Sequence, residues 1–294
     1  MNVFITGATG FLGKNFVKKL AGDARIDKIY LLVRKPPAAR AGGRIEYITG
    51  DLDSIKNIVL GGKADAVVHL AAAIRSDDPA ESYRVNVDGT RNVVDFCSRN
   101  KIGRLIFTSS VNVYLKHKGI YSQTKLLAED IIKAGGLKYC ILRVGLVYGP
   151  ADLTLCRLAD FIKKYRFVPV FGGGNKLKQP IYVDEVTDFL RNALFLNHSD
   201  CTVDIAGKNA VTYNEMLKLL CKVLKRKAVL LHIPVSLLVT AIEIFKKIGM
   251  KAPLNVEQVY HTDTNLSFDM SRTASDFSVE LNDMESNLKK YIVG

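Results

Sequence analysis

The chain has no tryptophan and only eight prolines in 294 residues, and none of its five cysteines forms a C-x-x-C pair. The first two shortages discriminate little, but the cysteines exclude more. Cys97, Cys140, Cys156, Cys201 and Cys221 are scattered and odd in number, so neither a disulfide framework nor a zinc site fits, and a reducing cytoplasm is the expected setting. The histidines at 69, 117, 198, 232 and 261 have no metal-ligand spacing, so no metal is expected. The opening "MNVFITGATG" has no basic region ahead of an apolar one, so no signal peptide is expected. Long apolar runs are missing as well. The richest stretch, "VLLHIPVSLLVTAIEIF" (229–245), is short for a membrane span and is interrupted by His232, Pro234 and Glu243. It reads as a buried or interfacial helix beginning near Pro234. No internal repeat or low-complexity tract is present.

What is present is charge and rhythm. The formal net charge is +13, from 42 basic residues spread along the whole length. Such a charge suits a solubilising surface, or one that attracts phosphate-bearing ligands or anionic lipid. No recognition motif accompanies it, so nucleic acid is not expected as a partner. Short apolar runs at 2–6, 28–33, 44–48, 66–70, 104–109 and 139–144 alternate with amphipathic segments. Continuous apolar strands each followed by a helix predict a parallel sheet covered on both faces. Right-handed crossovers then predict an α/β fold of the Rossmann type, a doubly wound parallel sheet. The rhythm breaks near Pro150. Residues 1–150 are therefore assigned to the dinucleotide-binding domain, with 181–198 returning to it, and 151–294 to a smaller C-terminal α/β substrate lobe.

The first strand ends in "TGATGFLG", with glycines at 7, 10 and 13. A glycine-rich loop between a strand and a helix is built for a pyrophosphate. Gly7 permits the turn, Gly10 allows close backbone approach, and Gly13 allows tight helix packing. The helix N-terminus offers unpaired N–H groups and partial positive charge. At the end of the second strand, "LLVRKP" puts Arg34 and Lys35 where an acid would accept bonds from a ribose 2′-OH. Cations there favour a 2′-phosphate, so NADP(H) is favoured and NAD(H) remains open.

Two Tyr-x-x-x-Lys matches occur, Tyr114–Lys118 in "YLKHK" and Tyr121–Lys125 in "YSQTK". About one would arise by chance among twelve tyrosines. Order decides between them, because the chain resembles the extended short-chain dehydrogenases/reductases, the NAD(P)-dependent epimerase/dehydratase superfamily. "TGATGFLG", "GDL" (50–52), "HLAAAI" (69–74), "NVDGTRNVVDFC" (86–97), "FTSSVNVY" (107–114), "YSQTK", "LRVGLVYGP" (142–150) and "QPIYVDEV" (179–186) follow one another as they do in that superfamily. The likeness runs to about residue 190.

Tyr121 opens a helical segment that brings Lys125 to the same face, and it follows Ser110 by 11 residues. "YLKHK" meets Gly119 at once and reads as loop. The resemblance thus implies that Ser110, Tyr121 and Lys125 are catalytic, with substrate against Ser110, or its neighbour Ser109, and Tyr121. It implies cofactor contacts at Gly7, Thr9, Gly10, Phe11, Leu12, Gly13, Arg34, Lys35, Asp51, Leu52, Leu70, Ala71, Ala72, Asn86, Thr108, Tyr121, Lys125, Val144 and Val147. A free tyrosine titrates near 10, so a lysine and an oxidised nicotinamide nearby would favour the phenolate.

Three departures narrow the reading. Val144 stands where the superfamily often has proline. Val111 and Asn112 replace the Asp-Glu pair of dehydratases, which disfavours a sugar dehydratase. "VGLVYGP" lacks the asparagine common in nucleotide-sugar enzymes. Three functions remain: an oxidoreductase acting on a carbonyl or alcohol, a nucleotide-sugar epimerase with retained cofactor, and a non-catalytic NADP-binding subunit. The resemblance also implies a homodimer through helices 80–99 and 122–134. The 234–249 region and the basic charge would suit peripheral membrane contact.

Overall fold

The apolar runs set the order of the strands in a computed structural model that describes residues 1–37, 43–74, 76, 78–116, 118–152, 154–196, 200–247 and 264–292. The strands are β1 (Asn2–Thr6), β2 (Lys28–Val33), β3 (Ile45–Thr49), β4 (Ala66–His69), β5 (Arg104–Ser110) and β6 (Lys138–Val144). With Cys201–Ile205 they form one sheet, in the order Cys201–Ile205, β6, β5, β4, β1, β2, β3. Every pairing is parallel; Val3 on β1, for example, registers with Ile29 on one side and Ala66 on the other. The seventh strand is not legible as one in the sequence. Its residues, CTVDI, alternate weakly because they form a half-exposed edge.

Among the described residues the α-helices are α1 (Phe11–Ala21), α2 (Pro79–Tyr83), α3 (Gly89–Arg99), α4 (Ile120–Ala134), α5 (Leu155–Lys164), α6 (Val183–Phe195), α7 (Tyr213–Val223), α8 (Val235–Lys247), α9 (Ser271–Asp276) and α10 (Met284–Ile292). On β1, Val3 and Ile5 face one layer and Phe4 the other, and all three are buried. Phe16 and Leu20 of α1, with Phe189 and Leu190 of α6, cover the first face. Val93 and Phe96 of α3, with Ala128 and Ile132 of α4, cover the second. Two covered faces explain why the strands read as unbroken apolar runs.

α2 and α3 form one rod interrupted by a π turn at Arg84–Asp88. Such turns often mark functional sites. The chain leaves β1 towards β2 and β3, then crosses back to β4 on the other side of β1. A crevice at the carboxyl ends of the strands follows from that reversal.

The smaller lobe has its own core, in which Leu155 and Ile162 of α5 meet Leu217 and Leu220 of α7, together with Val168, Val170 and Leu288. Its strands Phe167–Phe171 and Val229–Ile233 pair in parallel. Among the described residues, no helix is long and apolar enough to cross a membrane.

Candidate active site

A cavity of about 1060 Å³ opens at the carboxyl ends of the central strands. Its floor is the Gly7–Gly13 loop. Gly7 has φ +73°, and a Cβ there would fall 2.5 Å from the Ala71 nitrogen. A Cβ on Gly13 would fall 2.1 Å from the Gly7 carbonyl oxygen, so Gly13 packs the helix against its own loop. Gly10 is the N-cap of α1, with no side-chain cap and no acid in the first turn. The first N–H groups of α1 are therefore not taken by a cap, and they sit where an anion would be held. This cradle fits a dinucleotide pyrophosphate.

Around the loop, Thr9, Phe11, Leu12, Arg34, Asp51, Leu52, Leu70, Ala71, Ala72, Thr108, Val144 and Val147 line the cavity, as do Ser109, Ser110, Tyr121 and Lys125. Two residues assigned to the cofactor lie outside its lining. Lys35 is exposed beyond the end of β2. Asn86, buried in the π turn, accepts from the Ala73 N–H at 2.8 Å, and it donates to the Ala73 carbonyl at 3.2 Å and to Thr124 Oγ1 at 3.0 Å. Asn86 thus pins the loop after β4 to α4. Asp51 Oδ1 accepts from the backbone N–H groups of Asp53 and Ser54 and from the Ser54 hydroxyl. The bonds from Ser54 are the main reason its carboxyl titrates below the usual range.

Ser110 and Tyr121 line the cavity together, and the Ser110 oxygen accepts from the Asn112 N–H at 3.2 Å. The half-buried phenol is pushed up to about 12 by burial, with the nearby Ser110 hydroxyl opposing. Lys125, one turn on, is buried with its Nζ 3.9 Å from the centre of the Phe107 ring. Burial lowers it to about 7, against the pull of Glu129. His69, on the strand beside Phe107, is held between Thr6 Oγ1 (2.6 Å from Nδ1) and Thr90 Oγ1 (3.1 Å from Nε2). Burial, and then the Lys125 charge, drive it down to about 3, so the ring is neutral.

The second Tyr–Lys pair has no such setting. Val111–Tyr114 is a single 3₁₀ turn, and α4 begins only at Ile120. Tyr114 is 48% exposed, and its hydroxyl donates to the Asp204 carboxylate at 3.0 Å.

A buried network behind the site is not legible in the sequence. Glu129, fully buried on α4, accepts from Arg143 Nε at 2.9 Å and Nη2 at 2.7 Å, and from the Ser109 hydroxyl at 2.6 Å. Burial alone would raise its pKa, but the Arg143 and Ser109 bonds bring it below the ordinary carboxylate value. Arg143 also donates to the Tyr114 oxygen at 2.6 Å. Arg143 stands inside "LRVGLVYGP" and Glu129 one turn beyond "YSQTK", and only the fold brings α4 and β6 together. The sequence likewise misses the far wall, where Ile74, Val111, Leu146, Tyr213, Leu266 and Phe268 line the cavity beside Lys178 and Gln179. Of these, Ile74 lies in "HLAAAI", Val111 in "FTSSVNVY", Leu146 in "LRVGLVYGP" and Gln179 in "QPIYVDEV", motifs that could have pointed to them.

The profile of the NAD dependent epimerase/dehydratase family matches residues 3–200. The chain is 30% identical over 218 residues to a 3beta-hydroxysteroid-dehydrogenase/decarboxylase of Arabidopsis thaliana, covering 62% of this chain and 39% of that protein. It is also 30% identical over 186 residues to a ceramide reductase of Caulobacter vibrioides, covering 62% and 57%. It therefore spans well under two thirds of either relative. In shape it is similar to MoeE5 in complex with UDP-glucose and NAD, at a TM-score of 0.77 and 22% identity, covering 100% and 98% of the two chains. At that identity the likeness shows the fold.

Proposed function

We propose that this chain, which belongs to the NAD dependent epimerase/dehydratase family, interconverts a hydroxyl and a carbonyl on an apolar substrate, with a nicotinamide dinucleotide as its redox partner. The observation that carries this reading is the meeting of Ser110, Tyr121 and Lys125 in the same cavity as the Gly7–Gly13 loop.

The loop residues would hold the pyrophosphate, Asp51 and Leu52 the adenine, and Lys125 the nicotinamide ribose. Arg34, at the rim, would pair with a 2′-phosphate, which favours NADP(H) over NAD(H). When bound, the nicotinamide would supply or accept the hydride. Tyr121 carries its proton at neutral pH, as a phenol raised to about 12 must. It can therefore give a proton to an oxygen that gains negative charge as a carbonyl is reduced. Ser110 would hydrogen-bond that same oxygen. Ser109, which lines the cavity and is held by Glu129, would position the strand end.

Ile74, Val111, Leu146, Leu266 and Phe268 give the far wall an apolar lining, which suits a hydrophobic body. Relatives named for a hydroxysteroid and for ceramide agree with that choice. A nucleotide sugar, as bound by MoeE5, is the competing substrate. The test is nicotinamide absorbance with hydroxysteroids, long-chain ketones and nucleotide sugars, each with both cofactors. Turnover of apolar alcohols or ketones supports the reading; interconversion of sugars with no net change in cofactor would replace it.

Two further properties belong to this proposal. Leu127 on α4 and Tyr83 at the end of α2, each 40% exposed, would take part in a homodimer face. The five free thiols suit a reducing, cytoplasmic setting.

A further inference from the structure

Half of the large hydrophobic side chains that are exposed among the described residues lie on one two-stranded ribbon, the turn before it and the helix that follows it: Tyr165, Phe167, Val229, Leu231, Leu237 and Ile244. The cause is a two-stranded ribbon with two apolar faces. Phe167–Phe171 reads FVPVF and Val229–Ile233 reads VLLHI, where a half-exposed ribbon should alternate apolar and polar. Val168 and Val170 point into the lobe core. On the opposite face the register sets Phe167 beside Val229, Pro169 beside Leu231 and Phe171 beside Ile233. Val229 is 63% exposed and Phe167 43%. On α8, Leu237 and Ile244 stand two turns apart on one side and are also exposed.

Charge completes the pattern. Lys163, Lys164 and Arg166 precede the first strand, and Lys225, Arg226 and Lys227 precede the second. Because the strands are parallel and Phe167 pairs with Val229, the two basic clusters meet at the same end of the ribbon. The Val229 N–H bonds the Arg166 carbonyl at 2.9 Å, which fixes that meeting. All six cations are exposed. Tyr165 and Phe167 form an aromatic cluster with Phe161, and Lys164 lies over the Tyr165 ring. Aromatic rings, aliphatic tips and a basic rim together match the chemistry of an anionic bilayer surface.

We propose that this ribbon face and the adjoining side of α8 dock on an anionic membrane surface, with the chain lying on the bilayer and not through it. The opposite face of the same ribbon, where His232 registers with Val170, adjoins the substrate side of the cavity. His232, on the second strand, is 3.1 Å from Asn214, whose neighbour Tyr213 lines that cavity. The inference stands on the ribbon and its cations and does not depend on the catalytic reading.

Flotation of the purified full chain with phospholipid vesicles tests it. Wild type should float with vesicles of phosphatidylcholine containing a third phosphatidylglycerol, and should not float with phosphatidylcholine alone. Phe167→Ser with Leu231→Ser should abolish flotation. Lys225→Glu with Arg226→Glu should cut partitioning by about tenfold or more. Cofactor affinity and melting temperature, both measured on each variant, should remain near wild type and show that the variants are folded. Wild type that floats with neither vesicle, or variants that float as well as wild type, would overturn the proposal. So would a wild-type dimer that the two serines convert to monomer, because a second copy would then be what covers the face.

Discussion

The Ser109 hydroxyl donates to Glu129 Oε1 at 2.6 Å, while its neighbour Ser110 lines the cavity with Tyr121. Adjacent serines on one strand end point to opposite sides, so the same backbone serves two purposes. Ser109 anchors a buried carboxylate, and Ser110 lines the cavity where the proposed reaction would place its oxygen. Ser110→Ala should lower turnover by about two orders of magnitude and barely move the melting temperature. Ser109→Ala should do the reverse, costing about 1–3 kcal/mol of stability by leaving a buried acceptor short of a donor. Steady-state kinetics and urea melts on both variants separate the two roles.

Glu129 and Arg143 form a bidentate pair in which the carboxylate is fully buried and the guanidinium mostly so. Removing one charge strands the other, so Glu129→Gln should destabilise the fold by about 3–5 kcal/mol. Glu129→Leu with Arg143→Leu should recover part of that loss, because neither charge is then left buried. A double-mutant cycle in urea checks it; additive losses would show that the two side chains are not coupled.

His69 sets an acid limit. Its folded pKa of about 3 lies below the ordinary 6.5, through burial first and the Lys125 charge second. Between those values the unfolded chain binds a proton that the folded chain refuses. Stability therefore falls as pH drops from 6.5 towards 3. His69→Gln should flatten that slope, by on the order of 3 kcal/mol between about pH 6.5 and about pH 4. Urea melts across that range, wild type against variant, measure the difference.

Much of the fold is legible in the amino-acid sequence, and the reasons are local. β1, β2 and β5 announce themselves because both faces of each strand are covered, so apolar residues run on without a break. The glycine spacing carries the loop, because Gly7 and Gly13 have no room for a Cβ. The rest depends on neighbours that sequence does not order. Glu129 and Arg143 lie 14 residues apart on different elements, and nothing in either segment says that the other is the partner. The outward face of the Phe167–Phe171 ribbon is likewise invisible until pairing with Val229–Ile233 fixes which side chains share it. Position in a motif assigns Lys35 and Asn86 to the cofactor, yet Lys35 is exposed beyond the strand end and Asn86 is used to pin a loop.

Cofactor preference should rest on Arg34, which lines the cavity where Lys35 does not. Arg34→Asp should shift binding towards NAD(H), through loss of one charge-assisted contact and repulsion of a 2′-phosphate. Lys35→Ala should change the ratio little. Calorimetric titration of wild type and both variants with each cofactor decides it. Tighter NAD(H) binding by wild type would remove Arg34 from the role proposed for it.

The central claim is that Tyr121, and not Tyr114, handles the proton, and one measurement addresses it: nicotinamide-linked turnover of Tyr121→Phe beside Tyr114→Phe, with the best substrate from the apolar and sugar screen. Tyr121→Phe keeps the ring and removes the hydroxyl from the cavity, so turnover should fall by about two orders of magnitude or more while cofactor affinity holds. Tyr114→Phe loses only an exposed bond network to Arg143 and Asp204 and should stay within a few-fold of wild type. Full activity in Tyr121→Phe with a dead Tyr114→Phe would contradict the account.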